Sequence, residues 1–509
     1  MEMLNPPYGG MLVDLREGGE KHAFIRFASG LRTIQLSSSQ LQELAALASG
    51  MLSPLDRYLN REALVSVLES MRLPKGALLP YPLVLDVATT EGMQSGDQVV
   101  LRNLENSPIA WMTIEEIFEL PQVPELTSRH RFAISGQPRI IEIPRGIEFS
   151  RFRKTPLELR GKLRISGYSS VVALGLPGPL SLKDERELVD IATRLNAAVV
   201  AHPAWDNLKP FDADSFLRTR ICAAAFERCM RRRGHLLLLP LLNRFHSIRD
   251  LLLELIIHRN YGSTHLIVDP GLAGMPEAIN AAEELNMELI PSLMARQRNS
   301  GPRLSHKVHP ETRALLSQTY PERDRQGFCL WLTGLPSAGK STIAELVATA
   351  LLERGRQVTV LDGDVVRTHL SQGLGFSRED RDVNILRIGF VASEIVRHHG
   401  AVICAAVSPY KETRNKVRDL IGPDRFIEIF VNAPLPVCES RDVKGYYVQA
   451  RTGELTSFTG VSDPYEPPDR CELVLHSAEQ SPVECAAEVI RYLRIEGFLA
   501  EETRAASAS

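Results

Sequence analysis

A glycine-rich segment that ends in lysine and serine carries the clearest chemical signal in the sequence. Gly334 is followed, after four residues, by Gly339, Lys340 and Ser341. This is the spacing of the P-loop, whose glycines let backbone N–H groups converge on phosphate oxygens, while the lysine reaches the outer phosphates and the hydroxyl holds Mg²⁺. The flanks agree, because 328–333 reads as a buried strand and 343–355 as a helix whose N-terminus faces the anion. The segment predicts a phosphate-binding site.

Two carboxylates come directly after the next apolar strand, which spans 358–361. Asp362 and Asp364 stand there, and Arg367 follows shortly afterwards. Carboxylates at the C-terminal end of a parallel strand lie at the crevice where open α/β sheets bind ligands. The two acids could serve Mg²⁺ or a substrate hydroxyl, and a helix N-cap is the alternative that these residues alone leave open.

A third group of polar residues has helical spacing. Arg381, Asn384 and Arg387 can share part of one helix face, and the next apolar strand ends in Ser408 and Pro409. A solvated face is the usual interpretation of such residues. Because these residues accompany a P-loop, binding of a second anionic substrate is the better interpretation.

Six blocks of sequence carry a resemblance to a known family. In order, they are GLPSAGKST, LDGDVVR, LGFSREDRDVN, VSPY, CESRDVKGYY and FTGVSDPYEPP. They resemble adenylyl-sulfate kinase, and the resemblance covers residues 326 to 499. It implies transfer of the γ-phosphoryl group of ATP to the 3′-hydroxyl of adenosine 5′-phosphosulfate (APS), which gives 3′-phosphoadenylyl sulfate and ADP. This chemistry needs mainly positioning and charge neutralisation, because the transition state spreads charge over the transferred oxygens.

The resemblance also implies roles for individual residues. Lys340, the loop amides and Mg²⁺ on Ser341 hold ATP, while Asp362 orients or deprotonates the 3′-hydroxyl and helps to position the metal. Ser408 joins Lys340 and Asp362 as a catalytic residue, ranked below them because the backbone contacts of its neighbours to the substrate are expected to matter more than its hydroxyl. The residues implied to bind ATP are Gly334, Ser337, Ala338, Gly339, Lys340, Ser341, Thr342 and Arg441.

The implied APS site is built from charged groups and two aromatic rings. Phe376 and Phe458 sandwich the adenine, and the segment 441–460 is expected to be a mobile lid. The polar residues grip the sulfate, phosphate and ribose. The full set is Asp364, Arg367, Phe376, Arg381, Asn384, Arg387, Ser408, Pro409, Lys444 and Phe458.

The chain departs from the family pattern at several positions. Val383, Leu386 and Phe390 replace polar residues, while Arg381, Asn384 and Arg387 remain; Val365 ends the DGDN tetrad, and Pro336 and Ser337 stand where serine and glycine are usual. We expect these departures to affect substrate affinity and not the reaction type.

The N-terminal half resembles ATP sulfurylase. Residues 1–150, which are rich in short strands and turns, resemble its PUA-like domain through SPLDRYL, PYPLVLDV and GDQVVLRNLENSPIAWMTIEEIF. Residues 151–290 alternate helices with apolar strands, which predicts a Rossmann-like parallel sheet and resembles the catalytic domain. The predicted class is therefore α/β: a PUA-like domain, a Rossmann-like domain, a linker over 291–325, a P-loop kinase domain over 326–500 and a frayed tail over 501–509.

The sulfurylase motifs themselves are degraded. Where the family has Gln, Arg and two histidines for sulfate and ATP, this chain has the stretch from Leu174 to Asp184, in which only the proline survives. The second motif has become the stretch from Asp269 to Gly274, without its arginine and histidine. In the third region Arg244 and Arg249 remain, but His246 and its neighbours replace small residues.

Removing one hydrogen-bond donor that stabilises charge in the transition state typically lowers the reaction rate by about 10²–10³. We therefore predict a non-catalytic sulfurylase-like domain that acts as a scaffold or regulator of an oligomer, a dimer or a hexamer. Two alternatives stay open: an enzyme that makes APS and then phosphorylates it, and a regulatory nucleotide-binding protein with both halves inactive.

Composition sets the remaining expectations. The chain has 509 residues, a formal charge of −3 and 44% hydrophobic residues, which is ordinary for a globular protein and indicates no nucleic-acid partner. No signal peptide or apolar run of membrane-spanning length is evident. The seven cysteines form no CxxC pair. Buried reduced thiols in a cytoplasmic protein are the expected state, with ATP and APS as partners and Mg²⁺ as the cofactor.

Overall fold

The structure, a computed structural model, divides into two compact units, Met1–Thr319 and Tyr320–Ser509. We describe each unit by itself. The structure describes residues 4–16, 28, 30–126, 128, 130–143, 148–205, 213–239, 241, 247–295, 308–363, 366, 369–375, 377–442, 444–455 and 457–500.

The described residues of the first unit form three sheets. Its strands are β1 (Arg32–Gln35), β2 (Leu85–Val87), β3 (Gln98–Arg102), β4 (Pro108–Thr113), β5 (Glu116–Glu119), β6 (Phe132–Ser135), β7 (Pro138–Ile140), β8 (Ser170–Leu176), β9 (Ala197–Pro203), β10 (Gly234–Leu236), β11 (His265–Val268) and β12 (Glu288–Pro291). Its helices are α1 (Ser38–Ala48), α2 (Arg61–Ser70), α3 (Pro156–Arg164), α4 (Leu182–Arg194), α5 (Ala213–Cys229), α6 (Ile248–Tyr261), α7 (Pro270–Ala273), α8 (Pro276–Glu284) and α9 (Pro310–Thr319).

The β-rich part of this unit is made of two small sheets. One has the order β1-β3-β4-β7 and the other β2-β6-β5. A tight turn joins β3 to β4, where Asn106 adopts a φ of +61° and the Asn103 side chain accepts from the Ser107 N–H at 2.7 Å. Asparagine suits such a turn because it tolerates left-handed backbone and can bond its own chain.

The second part is a parallel sheet in the order β10-β9-β8-β11-β12. Every residue of β8 and β9 is buried, as expected for parallel strands covered by helices on both faces. The chain leaves β8 for β9 on one side and returns to β11 on the other. The carboxyl ends of β8 and β11 therefore form the crevice in which sheets of this kind bind ligands.

The two parts of the first unit share one hydrophobic core, which runs from Leu36 on the β-rich side to Ile257 on α6. Polar contacts join them as well: Asn5 Nδ2 donates to the Ser263 carbonyl at 2.9 Å, and Arg72 pairs with Glu284 at 2.6 Å. Within the segment predicted to be a linker, α9 packs on α5, where Arg228 pairs with Glu311 at 2.8 Å.

The second unit is a single α/β layer structure. Its strands are β13 (Phe328–Thr333), β14 (Val358–Asp362), β15 (Ala401–Ala405), β16 (Phe426–Asn432) and β17 (Leu473–His476), and its helices are α10 (Lys340–Glu353), α11 (Arg378–Arg397), α12 (Lys411–Ile421), α13 (Leu435–Ser440), α14 (Tyr446–Arg451) and α15 (Pro482–Ile495). All strand pairs are parallel, in the order β14-β15-β13-β16-β17.

The predicted strands at 328–333, 358–361, 401–407 and 426–434 are present with boundary shifts of at most two residues. Separate apolar clusters cover the two faces of this sheet, so that β13 and the strands beside it are buried on both sides. Among the described residues, no helix of either unit is long and apolar enough to cross a membrane.

Candidate functional site

The loop between β13 and α10 owes its shape to two glycines. A Cβ at Gly334 would lie 2.4 Å from the carbonyl oxygen of Val431 on β16, so no larger residue fits. Gly339, the residue before α10, has a φ of +97°, which favours glycine. Ser337 adopts a φ of +59° where the family pattern has glycine, so it holds an uncommon backbone conformation for a residue with a side chain.

Lys340 is the first residue of α10, and its side chain folds back over the loop. Its Nζ donates to the carbonyl oxygens of Gly334 at 3.0 Å and Leu335 at 2.8 Å. Burial lowers the pKa of Lys340 from its ordinary 10.5 to about 8, and the nearby Cys438 and Asp362 partly offset this effect. The ammonium group therefore sits where phosphate oxygens could replace the two carbonyls as its partners.

Other elements hold the loop from outside. Tyr447 on α14 donates its hydroxyl to the Pro336 carbonyl at 3.0 Å, and the Ser477 hydroxyl donates to the carbonyl of the buried Ala338 at 2.7 Å. Arg441 donates to the Ser477 carbonyl at 2.9 Å. Sequence reasoning missed Tyr447 and Ser477, because they lie far from the loop in the chain.

Asp362 ends β14, and its backbone lies in register with Ala405 on β15. Ala405 is in turn paired with Leu332, two residues before the loop. Asp362 is therefore two strand spacings, roughly 9–10 Å, from β13. Its charge acts on Lys340. Ser341, on the first turn of α10, is exposed, as is Thr342. A hydroxyl and a carboxylate are the hard oxygen donors that suit Mg²⁺.

Ser408 lies just beyond the end of β15, and its hydroxyl faces the interior. Its Oγ accepts from the indole Nε1–H of Trp331 at 3.1 Å and donates to Thr333 Oγ1 at 3.0 Å. The residue is 2% exposed and has a φ of +42°. The next residue, Pro409, accepts from the Glu466 N–H at 2.9 Å. These contacts hold the backbone of the turn in place, and they direct the Ser408 hydroxyl into the domain.

Arg381, Asn384 and Arg387 all lie on α11, as their spacing predicts. Arg381 reaches the turn that carries Phe458: it donates to the Ser457 carbonyl at 2.6 Å and to the Thr459 hydroxyl, and pairs with Asp463 at 3.4 Å. The side chain of Asn384 accepts from the Ser371 hydroxyl, and Arg387 donates to the Leu370 carbonyl at 2.9 Å.

Phe458 is half-buried and lies edge-on to Tyr447, with ring centroids 4.9 Å apart. Lys444 is exposed between α13 and α14. Three predicted substrate residues, Asp364, Arg367 and Phe376, lie outside the described residues. The structure thus brings Lys340 and Asp362 into one site and joins Arg381 to the Phe458 turn.

Comparison with known proteins identifies the parts of the chain. Family models match residues 326–476 as adenylylsulphate kinase, 150–289 as ATP-sulfurylase and 5–140 as a PUA-like domain. Sulfate adenylyltransferase of Aspergillus oryzae is 33% identical over 570 residues, which covers 97% of this chain and 99% of the relative. The chain belongs to the sulfate adenylyltransferase family. A sulfate adenylyltransferase of Yarrowia lipolytica is 31% identical over 569 residues.

A solved structure extends the likeness to the whole fold. The hexameric APS kinase from Thiobacillus denitrificans matches with a TM-score of 0.75 and 30% identity, covering 98% of this chain and 100% of that one. The predicted α/β class, with a PUA-like domain, a sulfurylase-like domain and a C-terminal P-loop kinase domain, is confirmed. The prediction of a kinase enzyme is confirmed as well.

The kinase domain also contains a buried ion pair that sequence reasoning missed. Arg414 on α12 is almost fully buried and pairs with Glu428 on β16 at 2.7 Å. The same guanidinium donates to the carbonyls of Ser408 at 2.7 Å and Glu466 at 2.9 Å. Arg414 therefore holds the Ser408 turn against the sheet. The strongly amphipathic pattern of α12 marks its buried face but does not reveal this pairing.

In the sulfurylase-like domain, the acids that occupy the degraded motifs and the retained Arg249 all have structural contacts. Asp184 accepts from the Ser181 N–H at 2.9 Å in a capping box at the start of α4, and Asp269 accepts from the Gly271 N–H at 2.7 Å. Arg249 donates to the carbonyls of Pro80 and Leu68, both at 2.9 Å, and thereby joins α6 to the PUA-like part. Arg244 and His246 lie outside the described residues.

Proposed function

We propose that the kinase domain transfers the γ-phosphoryl group of ATP to the 3′-hydroxyl of APS. The observation that carries the proposal is the position of Lys340, buried at the head of α10 with its ammonium group on the loop carbonyls and within the field of Asp362. Phosphoryl transfer depends on such positioning and charge neutralisation. The APS kinase activity of the structurally similar Thiobacillus denitrificans protein supports the same reaction.

Each residue has one task in this proposal. Lys340 and the loop amides bind the β- and γ-phosphates, and Asp362 accepts the proton of the attacking 3′-hydroxyl. Arg381 binds an anionic group of APS and keeps the Phe458 turn in place for the adenine. Ser341 and Asp362 would hold Mg²⁺, which neutralises phosphate charge when bound. The other implied residues, such as Lys444 and Arg441, complete the two nucleotide sites as the lid segment 441–460 closes.

Product analysis tests this reaction. Incubation of the full chain with ATP, Mg²⁺ and APS is expected to give ADP and a nucleotide whose new phosphate is on the 3′ position, as phosphorus NMR can establish. Asp362→Asn is expected to lower turnover by about 10²–10⁴, the usual contribution of a general base. The exposed Asp424→Asn is the matched control and should leave turnover unchanged. A product phosphorylated elsewhere would refute the proposal.

We infer that the sulfurylase-like domain does not make APS. A cavity at the carboxyl ends of β8 and β11 is lined by Gly175, Ser247, Leu251, Glu254, Ile267, Val268, Asp269, Leu272 and Ala295. Among these lining residues there are two acids and no Lys, Arg or His, so they offer no cationic side chain to the anions that a sulfurylase must bind. Of the two arginines retained from the sulfurylase motifs, Arg249 lies among the described residues, and it donates hydrogen bonds to backbone carbonyls.

The competing hypothesis is a bifunctional enzyme, which the sulfate adenylyltransferase relatives favour. Formation of ATP from APS and pyrophosphate, or molybdate-dependent cleavage of ATP, distinguishes the two. Either activity in the purified full chain would refute the inactive domain.

We propose that the chain is a homo-oligomer and that its N-terminal half is the scaffold. The similar Thiobacillus denitrificans protein is hexameric. On the kinase domain, Val383, Leu386 and Phe390 form an apolar stripe on α11, with 40%, 37% and 58% of their surface exposed, which would support contacts through the kinase domain if the scaffold proposal fails. Light scattering of the full chain and of residues 320–509 tests the scaffold, because equal subunit numbers would refute it.

A cytoplasmic location is part of the same proposal. All seven cysteines are free thiols, and Cys329, Cys404 and Cys438 are buried. Unpaired cysteines are typical of reducing compartments. Fractionation of the native host with detection of the protein tests the location.

A further inference from the structure

Three side chains that could bind a metal meet inside the sulfurylase-like domain, in the unit that the kinase reaction does not use. His202 lies near the end of β9, while Glu254 and His258 are one turn apart on α6. His258 Nε2 and His202 Nδ1 are 3.0 Å apart. Glu254 Oε1 is 3.7 Å from His202 Nε2 and 4.0 Å from His258 Nε2. One candidate ligand atom from each residue lies within 4.8 Å of the other two.

The burial of this cluster calls for an explanation. His202 and His258 have no exposed surface, and Glu254 is 7% exposed. Within the described part of the chain, Glu254 Oε1 and His258 Nδ1 have no hydrogen-bond partner. A buried carboxylate oxygen without a partner loses its hydration with nothing in return. Glu254 is the one polar residue among the buried residues of α6 from Leu251 to Ile257.

We propose that His202, Glu254 and His258 bind a divalent transition-metal ion, and that Zn²⁺ is the expected occupant. Two imidazoles and one carboxylate form a donor set that suits Zn²⁺, whereas Mg²⁺ and Ca²⁺ prefer oxygen ligands alone. Bonds of about 2.0–2.1 Å in a tetrahedron place ligand atoms roughly 3.3–3.4 Å apart. One ligand atom from each residue lies within 4.8 Å of the other two, so side-chain movements that shorten the longest separation complete the site.

The surroundings provide room for a fourth ligand. Glu254 lines the cavity at the carboxyl ends of β8 and β11, and the volume of this cavity is about 20 Å³. That is enough for one water molecule, which needs at least about 10–15 Å³. The lining acid Asp269 adds negative potential on the same side. Of the three ligands, Glu254 is the one that lines the cavity, so a water molecule there would lie on the carboxylate side of the site. Zn²⁺ prefers four-coordinate geometry.

Such an ion would join two elements that are distant in sequence. The strand β9 contributes one ligand and the helix α6 contributes two, so metal binding ties the end of the strand to the middle of the helix. Because the site exists only in the folded state, binding stabilises this unit.

The test uses the full chain, purified without a polyhistidine tag, stripped with a chelator and reloaded with Zn²⁺. After desalting, elemental analysis is expected to find one Zn²⁺ per chain, and the reloaded protein is expected to unfold at a higher temperature than the stripped protein. Glu254→Gln and His258→Gln should each weaken retention by more than the roughly 10–100-fold that outer-sphere partners cost.

The matched control is His235→Gln, which alters another buried histidine of the same sheet. His235 lies near Lys154 and Lys162 instead of a carboxylate, so Zn²⁺ retention should not change. No retained Zn²⁺ in the wild-type chain, or equal retention in Glu254→Gln and His258→Gln, would overturn the proposal.

A second measurement covers the case in which a variant fails to fold. X-ray absorption of the reloaded wild-type chain is expected to show nitrogen and oxygen ligands at about 2.0–2.2 Å with imidazole scattering. Sulfur at about 2.3 Å would instead assign the metal to cysteines and contradict the proposal. The kinase assay is independent of either outcome.

Discussion

The Nζ atom of Lys340 lies 3.0 Å from the carbonyl oxygen of Gly334 and donates a hydrogen bond to it. The lysine therefore closes the nucleotide loop on itself, with backbone carbonyls in the role that phosphate oxygens take in our proposal. Burial in this position is also what lowers the pKa of Lys340 to about 8. The protonation state of one residue should thus control the capture of ATP.

The first prediction concerns pH. The free enzyme binds ATP through the protonated lysine, so kcat/KM for ATP is expected to fall as pH rises through about 8. Lys340→Arg keeps a permanent charge and should remove this fall, although its turnover will be lower. The same apparent pKa in the profile of Lys340→Arg would show that another group is responsible.

The stability of the kinase domain should follow the same titration. The unfolded chain, in which the lysine has its ordinary pKa of 10.5, binds more protons than the folded chain between pH 8 and 10.5. Stability without nucleotide is therefore expected to increase with pH across that window. Lys340→Met should be less dependent on pH there, as chemical unfolding at several pH values would show.

A second prediction distinguishes the binding of APS from the binding of ATP. Arg381→Ala removes the donor to the Ser457 carbonyl and the Thr459 hydroxyl, so it should loosen the Phe458 turn. We expect KM for APS to rise by at least about tenfold, the equivalent of one charge-assisted hydrogen bond, with little change in KM for ATP. Arg397→Ala, at the exposed end of the same helix, is the control. Equal effects on both KM values would contradict an APS-specific role.

A third prediction concerns the buried pair of Arg414 and Glu428. Arg414→Met leaves the buried Glu428 carboxylate with Arg418 alone, at 3.2 Å, as its charge partner. Breaking a buried pair typically costs about 3–5 kcal/mol, and the remaining partner places the expected loss at the lower end of that range. Hydrogen exchange of peptides from β16 should therefore accelerate strongly. Lys416→Ala breaks an exposed pair on the same helix and should change nothing measurable. Unchanged exchange in Arg414→Met would show that the pair does not stabilise the sheet.

Local patterns in the sequence were enough to predict the strands around the nucleotide loop and the class of the fold. The loop could be found because Gly334, Gly339 and Lys340 act within one short segment, and α11 because its polar residues follow the helical repeat. Contacts between distant segments could not be predicted in this way. The pairing of Arg414 with Glu428, the support of the loop by Tyr447 and the meeting of His202 with Glu254 depend on which elements pack together.

Some retained residues also turned out to have structural contacts. Arg249 matches the sulfurylase pattern, yet its guanidinium joins α6 to two carbonyls of the PUA-like part. Ser408 matches the kinase pattern, but its hydroxyl is held by Trp331 and Thr333 inside the domain. Sequence position alone does not tell which atoms a side chain meets.

The most direct measurement is ADP release by the full chain in the presence of ATP, Mg²⁺ and APS, beside a sulfurylase assay on the same preparation. We predict ADP formation that requires APS, falls by at least about 10²–10³ in Lys340→Ala, and occurs without any sulfurylase turnover. Sulfurylase turnover would contradict the proposal that the N-terminal half is inactive. The absence of activity in both assays would contradict the proposed kinase reaction and favour a regulatory protein.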